Sequence, residues 1–174
     1  MRHRYLAVVL FVPLLVTQSG CSLTTPSTAS PTDLGSADRI AITDLIHRYS
    51  YTWDGRDTDG WVDLFTDDAV IRASFVDKLA WSYGSNAERR RFIDGFYEAT
   101  TKDGLLRSRH VQTGTILEPH ADGSVRAETM FVVAFQYRGE PTPRFTNTGV
   151  YRDRFVRTPA GWKFALRDIV VDQE

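Results

Sequence analysis

The chain has 174 residues and a formal net charge of −1, from 21 basic and 22 acidic side chains. Hydrophobic residues make up 42% of the sequence and charged residues 25%, which is typical of one globular domain. The balanced charge does not indicate a nucleic-acid-binding protein, and the single cysteine excludes a disulfide framework within the chain.

The N-terminal segment MRHRYLAVVLFVPLLVTQSGC has the features of an export signal. Arg2 and Arg4 give it a basic start, and an apolar run covers residues 5–16. This run is too short to span a bilayer comfortably but has the length of a signal-peptide core. The small residues before Cys21 resemble the lipobox of bacterial lipoproteins, although Gln18 stands where that pattern usually has Leu or Val.

This resemblance implies that residues 1–20 are a removable signal peptide and that lipid on Cys21 anchors the protein to the cell membrane on its extracytoplasmic side. A plain secretory signal, giving a secreted or periplasmic protein, and an uncleaved anchor are the alternatives. Residues 21–37 are rich in Ser, Thr and Pro and predict a flexible tether, because they offer little apolar surface to bury. The folded domain is therefore expected over residues 38–174.

The first element of the domain is a predicted amphipathic helix over residues 36–54. It should end at the turn signal Asp54–Gly55. Apolar residues at helical spacing define its buried face: Ile42, Leu45, Ile46, Tyr49 and Trp53.

Two further helices and one strand are predicted before residue 105. A short helix is expected around residues 59–65, and residues 69–76 have the pattern of a strand. A third helix over residues 85–100 opens with a capping box formed by Ser85 and Glu88.

The rest of the chain predicts four long strands separated by turn signals. They cover residues 105–118, 124–138, 144–157 and 162–171. Helices followed by a meander of strands favour an α+β domain, in which the helices lie across one face of a curved, mainly antiparallel sheet.

This order of elements resembles the nuclear transport factor 2-like superfamily. Three segments are similar to its SnoaL-like and scytalone dehydratase-like members: YSYTWDGRDTDGWVDLFTDDAV, RSRHVQTGT and GVYRDRFVRTPAGWKFALRD. The resemblance covers residues 38–172 and implies a cone-shaped fold whose helices and concave sheet enclose a ligand pocket. The superfamily contains dehydratases, isomerases, cyclases, hydrolases and non-catalytic binders, so the fold is implied more strongly than the function.

The resemblance also implies a catalytic pair formed by Asp54 and His110. Dehydratase-like members carry an aspartate at the end of the first long helix and a histidine near the start of the strand after the third helix. A carboxylate that accepts from one imidazole nitrogen fixes the tautomer and leaves the other nitrogen as acid or base. The residues alone favour structural roles, because an aspartate before glycine is common turn chemistry and Asp54 lies roughly 100° from the middle of the apolar stripe.

Several other residues are candidate pocket groups. Gln112 shares a strand face with His110 and is expected to hydrogen-bond a ligand oxygen. Asn147 and Tyr151 share a face of a later strand with Asp153, and Tyr151 is either a donor to a carbonyl or a core aromatic.

Three positions depart from scytalone dehydratase, and one of them, a tyrosine in that enzyme, falls near Ala73. Trp53 stands where that enzyme has a tyrosine, and Phe135 is the residue nearest to its second histidine. Both are expected to line the pocket and bind substrate, although the substrate should differ. No metal or cofactor is expected, because the sequence lacks HxH, HExxH and CxxC spacing and a glycine-rich phosphate loop.

The leading hypothesis is a cofactor-independent, dehydratase-like lyase or isomerase that acts on a small hydrophobic carbonyl compound. One alternative is a membrane-tethered module that binds a small lipophilic ligand without turnover, and another is an interaction domain with a vestigial cavity. No nucleic-acid partner is expected, and the membrane is contacted only through the lipid anchor. Pairing through the outer sheet face is common in the superfamily, and Met130, Val132 and Ala134 make that face apolar here, so we expect a homodimer.

Overall fold

The computed structural model describes residues 33–75 and 78–172. The predicted signal peptide, Cys21 and most of the predicted tether lie outside these residues. None of the helices within the described ranges has the length and apolar character needed to cross a bilayer. The described elements, in chain order, are α1 (Ser36–Gly55), α2 (Thr58–Asp63), β1 (Phe65–Phe75), β2 (Lys78–Tyr83), α3 (Asn86–Lys102), β3 (Leu105–Pro119), β4 (Val125–Tyr137), β5 (Arg144–Thr158) and β6 (Gly161–Val171).

The strands form one six-stranded sheet in the order β2-β1-β6-β5-β4-β3. Among the strands of the described residues, β1–β6 is the one parallel pair, so the predicted mainly antiparallel α+β fold is confirmed. Register shifts interrupt several strand pairs, and such bulges bend strands and increase their twist. The sheet is therefore curved, and the helices pack on its concave side.

Helix α1 is the main contact between the helical layer and the sheet. All five residues of its predicted apolar face are buried. They meet large sheet side chains such as Phe155 and Phe164, both fully buried. Burial of one such aliphatic or aromatic side chain contributes about 1.5–3 kcal/mol, so this face fixes where the helix lies. The helix begins at Ser36, two residues before the expected domain boundary, and ends at Gly55 as predicted.

The segment after α1 differs from its prediction. Helix α2 ends at Asp63, and Phe65 is buried in β1 instead of on the helix. The first strand begins at residue 65 and not at 69, because buried Arg89 of α3 donates to backbone carbonyls of Thr66 and Ala69 across a register shift. This long-range contact supports a strand start that has no local apolar alternation.

Strand β2 was not predicted. It is a six-residue edge strand that pairs only with β1, and most of its side chains are exposed. Its inward aromatic residues, Trp81 and Tyr83, lie against Phe92 of α3 with ring centroids 4.7 and 4.8 Å away. Tertiary contact with α3 therefore stabilises a short, mostly exposed segment whose pattern did not identify it as a strand.

Candidate functional site

A cavity of about 240 Å³ lies between the helices and the concave face of the sheet. Aromatic side chains from α1, α3, β2 and the sheet form most of its wall. Five of the residues predicted for the pocket line it: Trp53, His110, Phe135, Asn147 and Tyr151. The cavity is thus an apolar space with a few polar groups, as is usual for small-molecule sites, although it is smaller than most.

Asp54 and His110 are in direct contact where the end of α1 meets β3. His110 Nδ1 lies 2.7 Å from Asp54 Oδ1, and the His110 backbone N–H donates to Oδ2 at 2.8 Å. Ser108 Oγ donates a third hydrogen bond to Oδ1 at 2.7 Å. The side chain of Asp54 is only 10% exposed and that of His110 only 7%, so these contacts are shielded from water.

The carboxyl group of Asp54 is held in its ionised form. Burial alone would raise its pKa, but the hydrogen bonds and charge of His110 and the hydroxyl of Ser108 outweigh burial and lower the pKa below its ordinary value. An ionised carboxylate can only accept hydrogen bonds, so Nδ1 carries the proton in this contact. Nε2 of His110 is then the ring nitrogen left for chemistry.

The position of β3 at the edge of the sheet explains how Asp54 reaches His110 from the flank of α1. The backbone N–H of His110 faces away from β4, and the carboxylate takes the place of a strand partner. The imidazole lies beside Trp53, with ring centroids 5.2 Å apart, and edge-on to Tyr49 at 6.3 Å. His110 thereby lines the aromatic cavity, while Asp54 lines an open groove between α1 and β3.

Gln112 has contacts that differ from those expected of a ligand donor. Its Nε2 donates to Ile46 O at 2.8 Å and to Ser50 Oγ at 2.7 Å, both on α1. Its Oε1 accepts from Arg167 Nη2 at 3.3 Å. The amide therefore links α1 to the sheet through these hydrogen bonds, and Gln112 is not among the residues that line the cavity.

A buried ion pair behind the cavity was missed by sequence reasoning. Arg167 and Asp153 have side chains that are 0% exposed and share two hydrogen bonds, of 2.9 and 2.7 Å. The guanidinium carbon lies 3.9 and 4.1 Å from the ring centroids of Tyr49 and Tyr151. The strand alternation of β6 could have predicted that Arg167 faces inward, because it lies two residues before Ile169, which lines the cavity.

The two tyrosines beside Arg167 remain neutral. Burial raises the pKa of Tyr49 to about 12, and the positive charge of Arg167 offsets only part of this effect. Burial likewise raises the pKa of Tyr151 well above its ordinary value. Tyr151 is a core aromatic at 2% exposure and also lines the cavity. Its protonated hydroxyl is a hydrogen-bond donor.

The described residues contain no group of three or more His, Cys, Asp or Glu side chains that could hold a metal ion. The polar side chains at the cavity include His110, in contact with Asp54, and Asn147 and Tyr151 of the wall.

Solved structures with the same fold support the architecture. ActVI-ORFA from Streptomyces coelicolor is 20% identical, with a TM-score of 0.71, and the match covers 80% of this chain and 98% of that one. A candidate scytalone dehydratase from Novosphingobium aromaticivorans is 16% identical, with a TM-score of 0.64 and coverage of 79% and 85%. A nuclear transport factor 2-like protein with a cystatin-like fold from the same organism is 26% identical, with a TM-score of 0.64 and coverage of 78% and 82%.

No match is found among curated proteins. Residues 36–168 match the SnoaL-like domain family, and this match spans most of the chain. The expected resemblance to SnoaL-like proteins is confirmed, and the protein belongs to the SnoaL-like domain family.

Proposed function

We propose that the domain is a cofactor-independent lyase or isomerase that acts on a small, largely apolar carbonyl compound. The observation that supports it is the 2.7 Å contact between His110 Nδ1 and Asp54 Oδ1, made by a histidine that lines an aromatic cavity. His110 is the acid and base of the reaction, and Asp54 orients its ring.

The reaction begins with proton abstraction. Nε2 of His110 removes a proton from the carbon beside the substrate carbonyl, giving an enolate and an imidazolium that Asp54 stabilises. In a dehydration, Nε2–H then protonates the β-hydroxyl group, the C–O bond breaks, and an enone and water leave. In an isomerisation, the same proton returns to a different carbon. Both sequences regenerate neutral His110 and need no cofactor.

The enolate oxygen requires a hydrogen-bond donor. The hydroxyl of Tyr151 and the amide of Asn147 are the polar groups of the cavity wall best suited to this role. Because the remaining wall is mainly aromatic and apolar, screening is weak and each hydrogen bond to a developing charge gains strength. Trp53 and Phe135 supply flat apolar contact for the body of the substrate.

We also propose that the domain acts outside the cytoplasm, held by lipid on Cys21. The support is the basic start, the short apolar run and the small residues before the single cysteine. A Ser/Thr/Pro-rich tether between the lipid and α1 would let the domain reach ligands near the membrane surface.

The alternative function is a tethered module that binds a lipophilic ligand without turnover. The specific observation in its favour is the limited polarity of the cavity, where aromatic rings outnumber hydrogen-bonding groups. Such a module needs the cavity but has no need of the Asp54–His110 contact.

Deuterium exchange distinguishes an enzyme from a binder. Small cyclic ketones, β-hydroxy ketones and enones are incubated with the protein in D₂O, and exchange beside the carbonyl and loss of water are followed by NMR. Wild-type protein is expected to catalyse exchange, and His110→Gln should lower the rate about 10²–10⁴-fold, the usual contribution of a positioned base.

His47→Gln is the matched control, because His47 lies on the exposed surface of α1. This variant should catalyse deuterium exchange into the ketones at the wild-type rate. Saturable binding of these ketones without exchange would favour the binding module, and equal exchange by wild type and His110→Gln would exclude His110 as the base.

A further inference from the structure

We propose that Gln112 and Arg167 are positioning residues that set the spacing of α1 and β3 and so hold Asp54 against His110. This inference rests on the proposed function for its catalytic consequence. The structural part, that these two residues link α1 to the sheet, is independent of the proposed function. Neither side chain lines the cavity, so neither is expected to touch a substrate.

The Gln112 amide fits its surroundings in one orientation. Its Nε2 faces two acceptors on α1, Ile46 O and Ser50 Oγ, while Oε1 faces a donor, Arg167 Nη2. A flipped amide would place its oxygen against the Ile46 carbonyl and its NH₂ group against the guanidinium. Both contacts would be repulsive, so Arg167 determines which end of the amide faces the helix.

Arg167 is itself fixed from several sides. Asp153 holds it with two hydrogen bonds, and its guanidinium carbon lies 3.9 and 4.1 Å from the ring centroids of Tyr49 and Tyr151. A planar guanidinium held in this way has little freedom to move and is always charged. The contacts therefore run from β5 and β6, through Gln112 on β3, to the backbone of α1.

The Gln112–Ser50 contact is the neighbour of the His110–Asp54 contact between the same two elements. Ser50 and Asp54 are four residues apart, or about 6 Å along a helix. His110 and Gln112 are two residues apart, or about 6.6 Å along a strand. Because these spacings match, the two contacts are neighbours along the same pair of elements. Loss of the Gln112 contact weakens the restraint that keeps the end of α1 at the correct distance from His110.

Gln112→Leu tests this role, because it keeps the approximate size of the side chain and removes its hydrogen bonds. Since an error of about 1 Å in a catalytic contact can cost roughly 10²-fold in rate, we expect kcat to fall by about that factor. KM should change less than about twofold, because no cavity-lining group is altered. The downfield proton NMR signal of His110 Nδ1–H, assigned by its loss in His110→Gln, should broaden or disappear.

Gln136→Leu is a matched control. Gln136 Nε2 also donates two hydrogen bonds, to Tyr137 O and Glu140 O, but it lies at the end of β4 and neither of these bonds reaches α1. This variant should keep the wild-type kcat, KM and Nδ1–H signal. Ser50→Ala is a milder second variant that removes one acceptor of Gln112, and it should weaken the same signal if Gln112→Leu fails to fold.

The outcomes separate the positioning role from the proposed function. A folded Gln112→Leu protein, or Ser50→Ala in its place, with an unchanged signal and wild-type kcat overturns the positioning role, even where His110→Gln abolishes turnover. If the wild type has no turnover, the signal alone decides: its loss in Gln112→Leu but not in Gln136→Leu supports positioning, and its persistence refutes it.

Discussion

Removal of Arg167 should destabilise the domain mainly through the charge that it leaves behind. In Arg167→Met, the carboxylate of Asp153 stays fully buried without a counter-ion, and breaking a buried pair in this way costs about 3–5 kcal/mol. Folded domains have only about 5–15 kcal/mol of stability in total. For a domain of this size the loss corresponds to a fall in Tm of about 10–15 °C.

The double variant Arg167→Met/Asp153→Leu removes both charges and should recover most of the loss. Replacing a whole buried pair with apolar residues is often neutral or stabilising. The remaining cost is about 1 kcal/mol, because Oε1 of Gln112 loses its donor. Chemical denaturation of wild type and the three variants, including Asp153→Leu alone, gives the coupling energy directly.

The pH dependence supplies a second check. Burial raises the pKa of Asp153 in the folded protein, and Arg167 opposes this, so removal of Arg167 raises the pKa further. A carboxyl group with a raised folded pKa destabilises the fold once pH exceeds its unfolded value near 4, and the penalty disappears as pH falls below it. The stability gap between Arg167→Met and wild type should therefore narrow from pH 7 to pH 4. A constant gap, or equal loss in the single and double variants, would refute the buried-charge explanation.

Four further predictions concern the site and the assembly. Asp54→Asn should reproduce most of the activity loss of His110→Ala, and the double variant should be little worse in turnover assays, because the two residues act as one unit. The lowered pKa of Asp54 means that its contribution to stability is present above pH 4 and is lost as pH falls through the lowered value; urea unfolding should thus show a smaller loss for Asp54→Asn than for wild type between pH 5 and pH 3. Met130 is 55% exposed on the outer sheet face, and Met130→Lys should shift the proposed homodimer to monomer in sedimentation at about 10 µM, whereas a monomeric wild type would count against the dimer. Cys21→Ala should move the protein from the membrane fraction to the soluble fraction, because an anchor of two or more chains is lost, and a wild type that is already soluble would exclude lipidation.

The sequence predicted the elements whose burial follows a regular period. The apolar stripe of α1 and the inward alternation of β4 each have one face against the core, so spacing alone identifies them. The same alternation placed His110 and Gln112 on one face of β3, and both side chains contact α1. Family resemblance then added Asp54, which the helical period placed off the apolar stripe.

The elements that sequence reasoning missed depend on contacts between distant segments. Strand β1 starts early because Arg89 of α3, twenty residues after Ala69, donates to carbonyls of the strand, and β2 exists because Trp81 and Tyr83 pack on α3. Arg167 and Asp153 have charged side chains that a single-residue rule places at the surface. Their burial is favourable only as a pair. The alternation within one strand can predict that a side chain faces inward, but it does not predict which residue of the next strand will pair with it.

The three hydrogen bonds to Asp54 are sufficient to explain its presence as a link between α1 and the edge strand. Ser108 and the backbone N–H of His110 would make that link without an imidazole. The imidazole ring adds a titratable group to this link. One ring nitrogen contacts the Asp54 carboxylate, and His110 also lines the aromatic cavity. A purely structural link needs only the Ser108 hydroxyl and the His110 backbone N–H. The imidazole is therefore the part of this contact that the proposed function requires, and comparison of His110→Ala with Asp54→Asn tests whether the ring has that role.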